Sequence, residues 1–132
     1  PLDRFEEGER RILVVDDDVD SSQMVKMLLE KTGLYEVQVC NRGSAAVEII
    51  KTTRPELVLL DIMMPDADGT DIAERVREDK TLAATHVVFM TSLVSSTEVR
   101  ENAVIGGHPF ISKPVSAEML LKRVKGIFEV GH

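Results

Sequence analysis

The sequence predicts a doubly wound α/β fold, and three observations support this prediction. Short apolar runs alternate along the chain with amphipathic stretches, which is the pattern of βα units around a parallel sheet. Three of these runs, 12–15, 57–60 and 87–90, are continuously apolar, as expected of strands that are buried on both faces. The length of 132 residues, without repeats or low-complexity tracts, suits a single domain.

The predicted strands are short and evenly spaced. They are placed at 11–15, 36–40, 57–60, 86–90 and 109–112. The segment 36–40 mixes polar and apolar residues, which suits a strand at an edge of the sheet.

Five helices are predicted to follow the strands, and turn residues mark several of their ends. Asp20 or Ser21 caps the first helix, which runs to about Lys31 and stops at Gly33. The other helices are expected from about Gly43 to Thr53, from near Gly69, over roughly 95–105 until Gly106-Gly107, and after the cap Ser116.

The composition narrows the classes of function. A formal net charge of -7 argues against a surface that binds nucleic acid without specificity. No apolar run approaches the roughly 18 residues that a membrane span needs, and the polar start of the chain is not a signal peptide. The single cysteine, Cys40, excludes an intrachain disulfide and fits a reducing compartment, and we expect it to be a small core residue.

Two of the apolar runs end in aspartates. Asp16 and Asp17 follow the run 12–15, and Asp61 follows the run 57–60. Ligands of doubly wound sheets bind at the edge where the strands have their carboxyl ends. Because uncompensated carboxylates at close range are costly, this cluster requires a cation or a proton. Mg²⁺ prefers oxygen ligands and keeps several waters, so we expect direct contacts from Asp17 and Asp61 and a water-mediated one from Asp16.

The same edge carries groups that suit phosphoryl transfer. A carboxylate is a competent nucleophile toward a phosphoryl group, and Asp61 is the best placed one. Lys113, after the last predicted strand, supplies a positive charge for one phosphoryl oxygen, and Thr91 supplies a hydroxyl donor for another. These residues predict a reaction that depends on positioning and charge neutralisation.

Two other motifs compete for the aspartates. Asp16, Asp18 and Asp20 alternate as in a calcium loop, but the required glycine and glutamate are missing from its later positions. The segment 66–70 is similar to the nucleophile motif of haloacid-dehalogenase-type phosphatases, but it begins beyond the strand end that Asp61 already occupies. Both alternatives are disfavoured, and Asp18 and Asp20 are expected to be turn and helix-cap residues.

Four motifs at the predicted strand ends together resemble the receiver domains of two-component response regulators. They are Val14-Val15-Asp16-Asp17, Leu60-Asp61-Ile62-Met63-Met64-Pro65 with Gly69, Met90-Thr91-Ser92, and Phe110-Ile111-Ser112-Lys113-Pro114. The resemblance covers about residues 10–129, and the order and spacing of the motifs make it specific. It implies a flavodoxin-like (βα)5 sandwich whose five-stranded parallel sheet has the order 2-1-3-4-5.

The resemblance implies a role for each residue of the predicted site. Asp61 would be the phosphoacceptor. The Mg²⁺ site would consist of the carboxylates of Asp16, Asp17 and Asp61 and the backbone carbonyl of Met63.

Four further residues have implied roles outside the metal site. Thr91 and Lys113 would bind the phosphoryl group. Phe110 would be the aromatic residue that turns inward when the threonine moves. The Lys113-Pro114 peptide bond would be cis, a geometry that is otherwise rare.

The resemblance also implies partners. The chain would be a cytoplasmic phosphoprotein that receives its phosphoryl group from a sensor histidine kinase or a phosphotransfer protein. An output domain or effector would lie outside this chain, and a homodimer through the fourth and fifth predicted helices is compatible with it. Contact of this domain with nucleic acid or membrane is not expected.

The expected domain boundaries and the remaining classes of function complete the prediction. Residues 1–10 are expected to be a leader, 11–129 the receiver domain and 130–132 a tail, and the missing start methionine suggests a piece of a longer protein. The chain is expected to be a signalling module with at most Mg²⁺-dependent self-phosphorylation and self-dephosphorylation. A phosphatase with an aspartate nucleophile and a flavodoxin-like binding module without phosphotransfer remain as alternatives.

Overall fold

A computed structural model shows the fold and describes residues 10–92, 104–105, 108–113 and 116–130. A sheet lies at its centre, with helices on both faces. In chain order the elements are β1 (Arg10–Val15), α1 (Val19–Glu30), β2 (Tyr35–Cys40), α2 (Ala46–Thr53), β3 (Leu57–Asp61), β4 (Met63–Met64), β5 (Ala67–Asp68), α3 (Gly69–Glu78), β6 (His86–Thr91), β7 (Val104–Ile105), β8 (His108–Ser112) and α4 (Ala117–Val130). Within these ranges, no helix combines the length and the apolar composition that crossing a bilayer requires.

The sheet has the predicted topology with one addition. Its strand order is β2-β1-β3-β6-β8-β7, and the first five of these strands are parallel. Counted without the two-residue strands, this is the predicted order 2-1-3-4-5, and β2 lies at an edge as expected. The addition is β7, which pairs antiparallel with β8.

The region before β8 corrects one prediction. Most of the predicted fourth helix, roughly 95–105, lies outside the described residues, but its last two residues are not helical. Val104 and Ile105 form β7 and pair with Pro109 and His108. The helix prediction is wrong at these two positions because β-branched residues favour an extended backbone and the edge of β8 offers them a pairing partner.

The cap of α1 differs from the prediction, whereas the residue that follows α1 and the cap of α4 agree with it. Asp18, not Asp20 or Ser21, caps α1, because its carboxylate accepts a hydrogen bond of 3.1 Å from the Ser21 amide. Asp18 has an extended backbone directly before the first helical residue, which is the geometry of an N-cap. Gly33 follows α1 with a φ of 79°, and the Ser116 hydroxyl accepts from the Met119 amide at 3.1 Å in α4, both as predicted.

The sheet separates the interior into two apolar clusters because neighbouring residues of a strand point to opposite faces. The first cluster lies between the sheet and the helices α2 and α3, and it contains Leu13, Val15, Cys40 and Phe110. The second lies between the sheet and the helices α1 and α4, and it contains Ile12, Val14, Val25, Leu120 and Val124. Cys40 is thus the buried core residue that the sequence predicted.

His108, the first residue of β8, packs its ring edge-on against Phe89 with the ring centres 5.5 Å apart. Within the described part of the chain, its buried Nε2 atom has no hydrogen-bond partner. Burial first, and then the nearby charge of Arg77, hold the pKa of His108 below its usual range, although the Val87 carbonyl and Glu74 oppose the shift. The folded protein therefore favours the neutral ring.

A pH dependence of stability follows from this depressed pKa. The unfolded chain binds a proton on His108 near pH 6.5, whereas the folded chain binds it only at a lower pH. The stability contribution of the neutral ring is therefore present above pH 6.5 and is lost as the pH falls toward the folded pKa. Between pH 8 and 5, the free energy of unfolding measured with urea should fall less in His108→Phe than in the wild type. Equal decreases would show that His108 is not the source of this pH dependence.

Candidate functional site

Three aspartates meet at the carboxyl edge of the central strands. The register pairs Val15 of β1 with Leu60 of β3, so the residues that follow, Asp16 and Asp61, lie side by side. Asp16 is fully buried, Asp61 is 8% exposed, and Asp17 faces solvent. One carboxylate oxygen of each residue lies within 4.8 Å of the others. The structure therefore contains the acidic cluster that the sequence predicted.

Lys113, which follows β8, reaches this cluster from the other side. Its Nζ atom lies 2.8 Å from Oδ2 of Asp16 and 3.3 Å from Oδ2 of Asp61. The other oxygen of Asp16 accepts from the Asp18 amide at 3.0 Å. Lys113 is thus an internal counterion for two carboxylates, and its shorter contact is with the more buried one.

Burial and the neighbouring charges shift the pKa values of two groups in this arrangement upward. Burial raises the pKa of the Asp61 carboxyl, Lys113 opposes this rise, and the negative charge of Asp16 adds to it. Burial alone would lower the pKa of Lys113, but hydrogen bonds and attraction from Asp16 and Asp61 outweigh it and raise the value. The rise at Asp61 comes mainly from burial, whereas the rise at Lys113 comes from the two carboxylates that share its ammonium group. The site retains excess negative charge when all three aspartates are ionised.

Thr91 and Phe110 are both buried and lie on the neighbouring strands β6 and β8. Thr91 ends β6 at the same edge as Asp61, it is 1% exposed, and its carbonyl accepts from the Lys113 amide at 2.9 Å. Phe110 is buried in the first core cluster instead of lining the acidic site. The predicted cis bond before Pro114 lies outside the described residues.

The segment after Asp61 is a small closed hairpin. β4 and β5 pair antiparallel through Met63–Asp68 and Met64–Ala67, and the Gly69 amide donates to the Ile62 carbonyl at 2.8 Å. The Met63 amide donates to Oδ1 of Asp61 at 3.3 Å. Met63 itself is 64% exposed. The hairpin fixes the backbone that carries the predicted carbonyl ligand.

Two residues that the sequence analysis did not assign to the site contact its loops. Asn41 follows β2 and donates from Nδ2 to the Asp16 carbonyl oxygen at 2.7 Å. Asp66, in the turn between β4 and β5, accepts hydrogen bonds from the amides of Gly43 and Ser44. The position of Asn41 directly after a strand was a usable signal, because the carboxyl ends of all the parallel strands share one edge.

The structure also decides between the alternatives for the aspartates. Asp18 caps α1 and Asp20 is exposed in its first turn, so they do not join Asp16 in a calcium loop. Asp66 lies in an exposed turn instead of ending a strand, which the dehalogenase-type motif requires. The donors that do converge are carboxylate oxygens, which are the hard ligands that Mg²⁺ prefers.

The fold and the site together define a flavodoxin-like α/β protein with an acidic cluster at the carboxyl edge of its sheet. Residues 12–125 match the family model of the response regulator receiver domain, which is most of the chain. The chain belongs to this family. Receiver domains are signalling modules that bind Mg²⁺ at an acidic pocket, and accepting a phosphoryl group is their general role.

Individual proteins show the same similarity. The chain is 34% identical over 117 residues to the transcriptional regulatory protein TrcR of Mycobacterium tuberculosis, covering 89% of this chain and 44% of TrcR. Among solved structures, the chemotaxis protein CheY4 of Vibrio cholerae has a TM-score of 0.77 at 27% identity, covering 91% of this chain and 99% of that one. The BeF3-activated receiver domain of Klebsiella pneumoniae RstA has a TM-score of 0.71 at 31% identity, covering 87% and 95%. The chain spans about half the length of the curated relatives that it matches.

Proposed function

We propose that this chain accepts a phosphoryl group on Asp61 from a histidine kinase or a phosphotransfer protein and changes conformation in response. One observation carries the proposal: the Asp61 carboxylate lies close both to the carboxylates of residues 16 and 17 and to the ammonium group of Lys113. Membership of the receiver family supports the general role, and the geometry supports this particular acceptor.

The residues around Asp61 fit the covalent step. A carboxylate oxygen of Asp61 attacks the phosphorus of a phosphohistidine, the N–P bond breaks, and an acyl phosphate forms. Lys113 already lies 3.3 Å from Asp61 and can neutralise charge on one phosphoryl oxygen. The hydroxyl of Thr91, at the end of the neighbouring strand, is the proposed donor to another.

Magnesium completes the charge balance of this site. We assign its direct ligands to Asp17, Asp61 and the carbonyl of Met63, with Asp16 acting through a water. Bound Mg²⁺ would reduce the repulsion between the carboxylates and an incoming phosphoryl group. The full burial of Asp16 and its 2.8 Å contact with Lys113 support an indirect role for this residue.

The conformational response is proposed to start at Thr91 and to reach Phe110. Hydrogen bonds to a charged group contribute about 1.5–3 kcal/mol each, so two new bonds from Thr91 and Lys113 supply roughly 3–6 kcal/mol. A shift of a two-state equilibrium from 1:99 to 99:1 needs about 5.5 kcal/mol. Phe110 lies opposite Phe89 in the β6–β8 register, two residues before Thr91 meets Ser112. A movement of Thr91 can therefore reach Phe110 through the paired strands β6 and β8.

The relatives support a proposal about the proteins that act together with this domain. The names of several of them describe DNA-binding regulators, and the chain spans only about half of their length. We propose that the phosphorylated domain acts on an output domain or effector beyond the chain, or on a second copy through the predicted fourth helix and α4, which is the predicted fifth helix. Its own acidic composition makes it the regulatory part of such an assembly and not the part that binds DNA.

The test is the covalent adduct itself. After incubation with a small phosphodonor and Mg²⁺, intact-mass measurement should show the wild-type chain heavier by one phosphoryl group. Asp61→Asn should gain no mass, because an amide is not a nucleophile of comparable strength, and the wild type with a chelator should gain none either.

Asp79→Asn provides a matched control, since Asp79 is a partly exposed aspartate that caps a turn through Thr81, away from the acidic cluster. This variant should be phosphorylated like the wild type. A phosphoryl adduct that persists in Asp61→Asn would show that Asp61 is not the acceptor. A wild type that forms no adduct would favour the binding module without phosphotransfer, and repeated turnover of a phosphoester would favour a phosphatase.

A further inference from the structure

The loop that connects β2 to α2 contacts both of the loops that carry the acidic cluster. We call residues 41–44 the brace loop. At one end, Asn41 donates from Nδ2 to the Asp16 carbonyl oxygen at 2.7 Å and to the hydroxyl of Ser22 at 2.9 Å. The brace loop is therefore fixed to the turn between β1 and α1.

The other end of the brace loop is fixed to the hairpin after Asp61. The amides of Gly43 and Ser44 donate to the two carboxylate oxygens of Asp66, at 3.2 and 3.0 Å respectively. The Ser44 amide and side chain, followed by the Gly43 amide, hold the pKa of Asp66 below its usual range. The carboxylate is thus charged at neutral pH, which strengthens both hydrogen bonds.

Packing between the brace loop and the hairpin is also tight. A Cβ atom added at Gly43 would lie 2.7 Å from the Cβ of Ala67 and 3.1 Å from Oδ1 of Asp66. Real Cβ atoms do not approach that closely, so the absence of a side chain at position 43 allows the two segments to touch. The backbone of the brace loop at Gly43 therefore packs closely against side chains of the hairpin.

We propose that Asn41 and Asp66 are positioning residues that hold the two halves of the magnesium site at a fixed separation through the brace loop. The inference rests on the proposed function, because it concerns the affinity of that same site. Asn41 fixes the backbone of Asp16, and Asp66 fixes the hairpin that carries Met63. A cation that binds between these loops needs both in place, and loss of outer contacts of this kind typically weakens metal binding about 10–100-fold.

The direct test is the Mg²⁺ dissociation constant, measured by isothermal titration calorimetry. Asp66→Ala should raise the constant about tenfold, at the lower end of the usual range because Asp66 is exposed to solvent. Asn41→Ala should raise it by at least as much. Asp66→Asn keeps one acceptor oxygen and should lie between the wild type and Asp66→Ala.

A second measurement separates positioning from a general loss of structure. The rate of phosphorylation by a small phosphodonor is followed as a function of Mg²⁺ concentration. The variants should need more Mg²⁺ for half the maximal rate but should reach nearly the wild-type maximum, because Asp61 and Lys113 are unchanged. The control Asp79→Ala removes another capping carboxylate, a partly exposed one that accepts from Thr81, and should leave the dissociation constant unchanged.

The outcomes distinguish the inference from the proposal on which it rests. A wild-type chain that does not bind Mg²⁺ overturns the proposed function. If the wild type binds Mg²⁺ but Asp66→Ala has the same dissociation constant, only the positioning role of Asp66 is overturned. If the maximal rate of phosphorylation falls in proportion to a lowered unfolding midpoint, Asp66 has a purely structural role. This result would also overturn the positioning role. Asp66→Ala is decisive because its exposed side chain can be removed without opening the core.

Discussion

A Lys113→Met variant is expected to lower the free energy of unfolding by about 3 kcal/mol when Mg²⁺ is absent. The ammonium group is the counterion of Asp16, whose side chain is fully buried, and it lies 2.8 Å away. Removing one partner of a buried ion pair leaves a charge that water cannot reach, which costs about 3–5 kcal/mol. The side chain of Lys113 is 18% exposed, so the lower end of that range applies. Urea unfolding in the presence of a chelator measures the change.

The matched control is another lysine whose ion pair is exposed. Lys125 lies 4.0 Å from Glu129 on α4, and both side chains are mostly in solvent. Lys125→Met should change the free energy of unfolding by less than about 0.5 kcal/mol, since exposed pairs contribute little. Added Mg²⁺ should narrow the gap between Lys113→Met and the wild type by supplying a replacement cation. Equal effects of the two substitutions would show that Lys113 is not the required counterion.

Gly69→Ala is expected to lower the free energy of unfolding by about 2–3 kcal/mol and to disturb the backbone at Asp61. A Cβ atom at this position would lie 2.3 Å from the Asp61 carbonyl oxygen and 2.7 Å from the Cα of Ile62. Both obstacles are backbone atoms, so relief requires a movement of the hairpin, and overpacking of this kind usually costs about 1–3 kcal/mol. The change should appear in urea unfolding and in weaker Mg²⁺ binding.

Gly126 is a glycine at which, unlike Gly69, an added Cβ atom has free space. It lies within α4, and no described atom stands within 4 Å of the Cβ that a substitution would add. Gly126→Ala should therefore raise the free energy of unfolding by about 0.5–1 kcal/mol, because alanine is the better helix former. A stabilising Gly69→Ala would contradict the observed approach of the hairpin to position 69.

The larger elements of the fold were predictable because each one leaves a clear pattern. The runs 12–15, 57–60 and 87–90 must be apolar on both sides to lie between two layers of helices, and few other structures require this. The two-residue strands β4, β5 and β7 leave no such pattern, since two residues show no periodicity. The cap of α1 was misplaced because Asp18, Asp20 and Ser21 all have side chains that favour helix caps, and only the backbone geometry decides among them.

The site was predictable to the extent that it lies at the ends of strands. Asp16, Asp61 and Lys113 each follow a predicted strand, and the fold brings such positions together. The link from Asp66 to the brace loop could not be predicted, because it joins two loops that are separated by α2 and β3. Contacts of this kind depend on how the loops pack, and the charge or spacing of the residues does not reveal them.

The division of the interior by the sheet has an evolutionary consequence. Phe110, α2 and α3 contribute to the first core cluster, whereas α1 and α4 pack on the second. Because the strands keep the two clusters apart, a volume change in the second cluster affects mainly the quantity of folded protein. Evolutionary substitutions in the second cluster are therefore expected to alter the response at Phe110 less directly than substitutions in the first cluster.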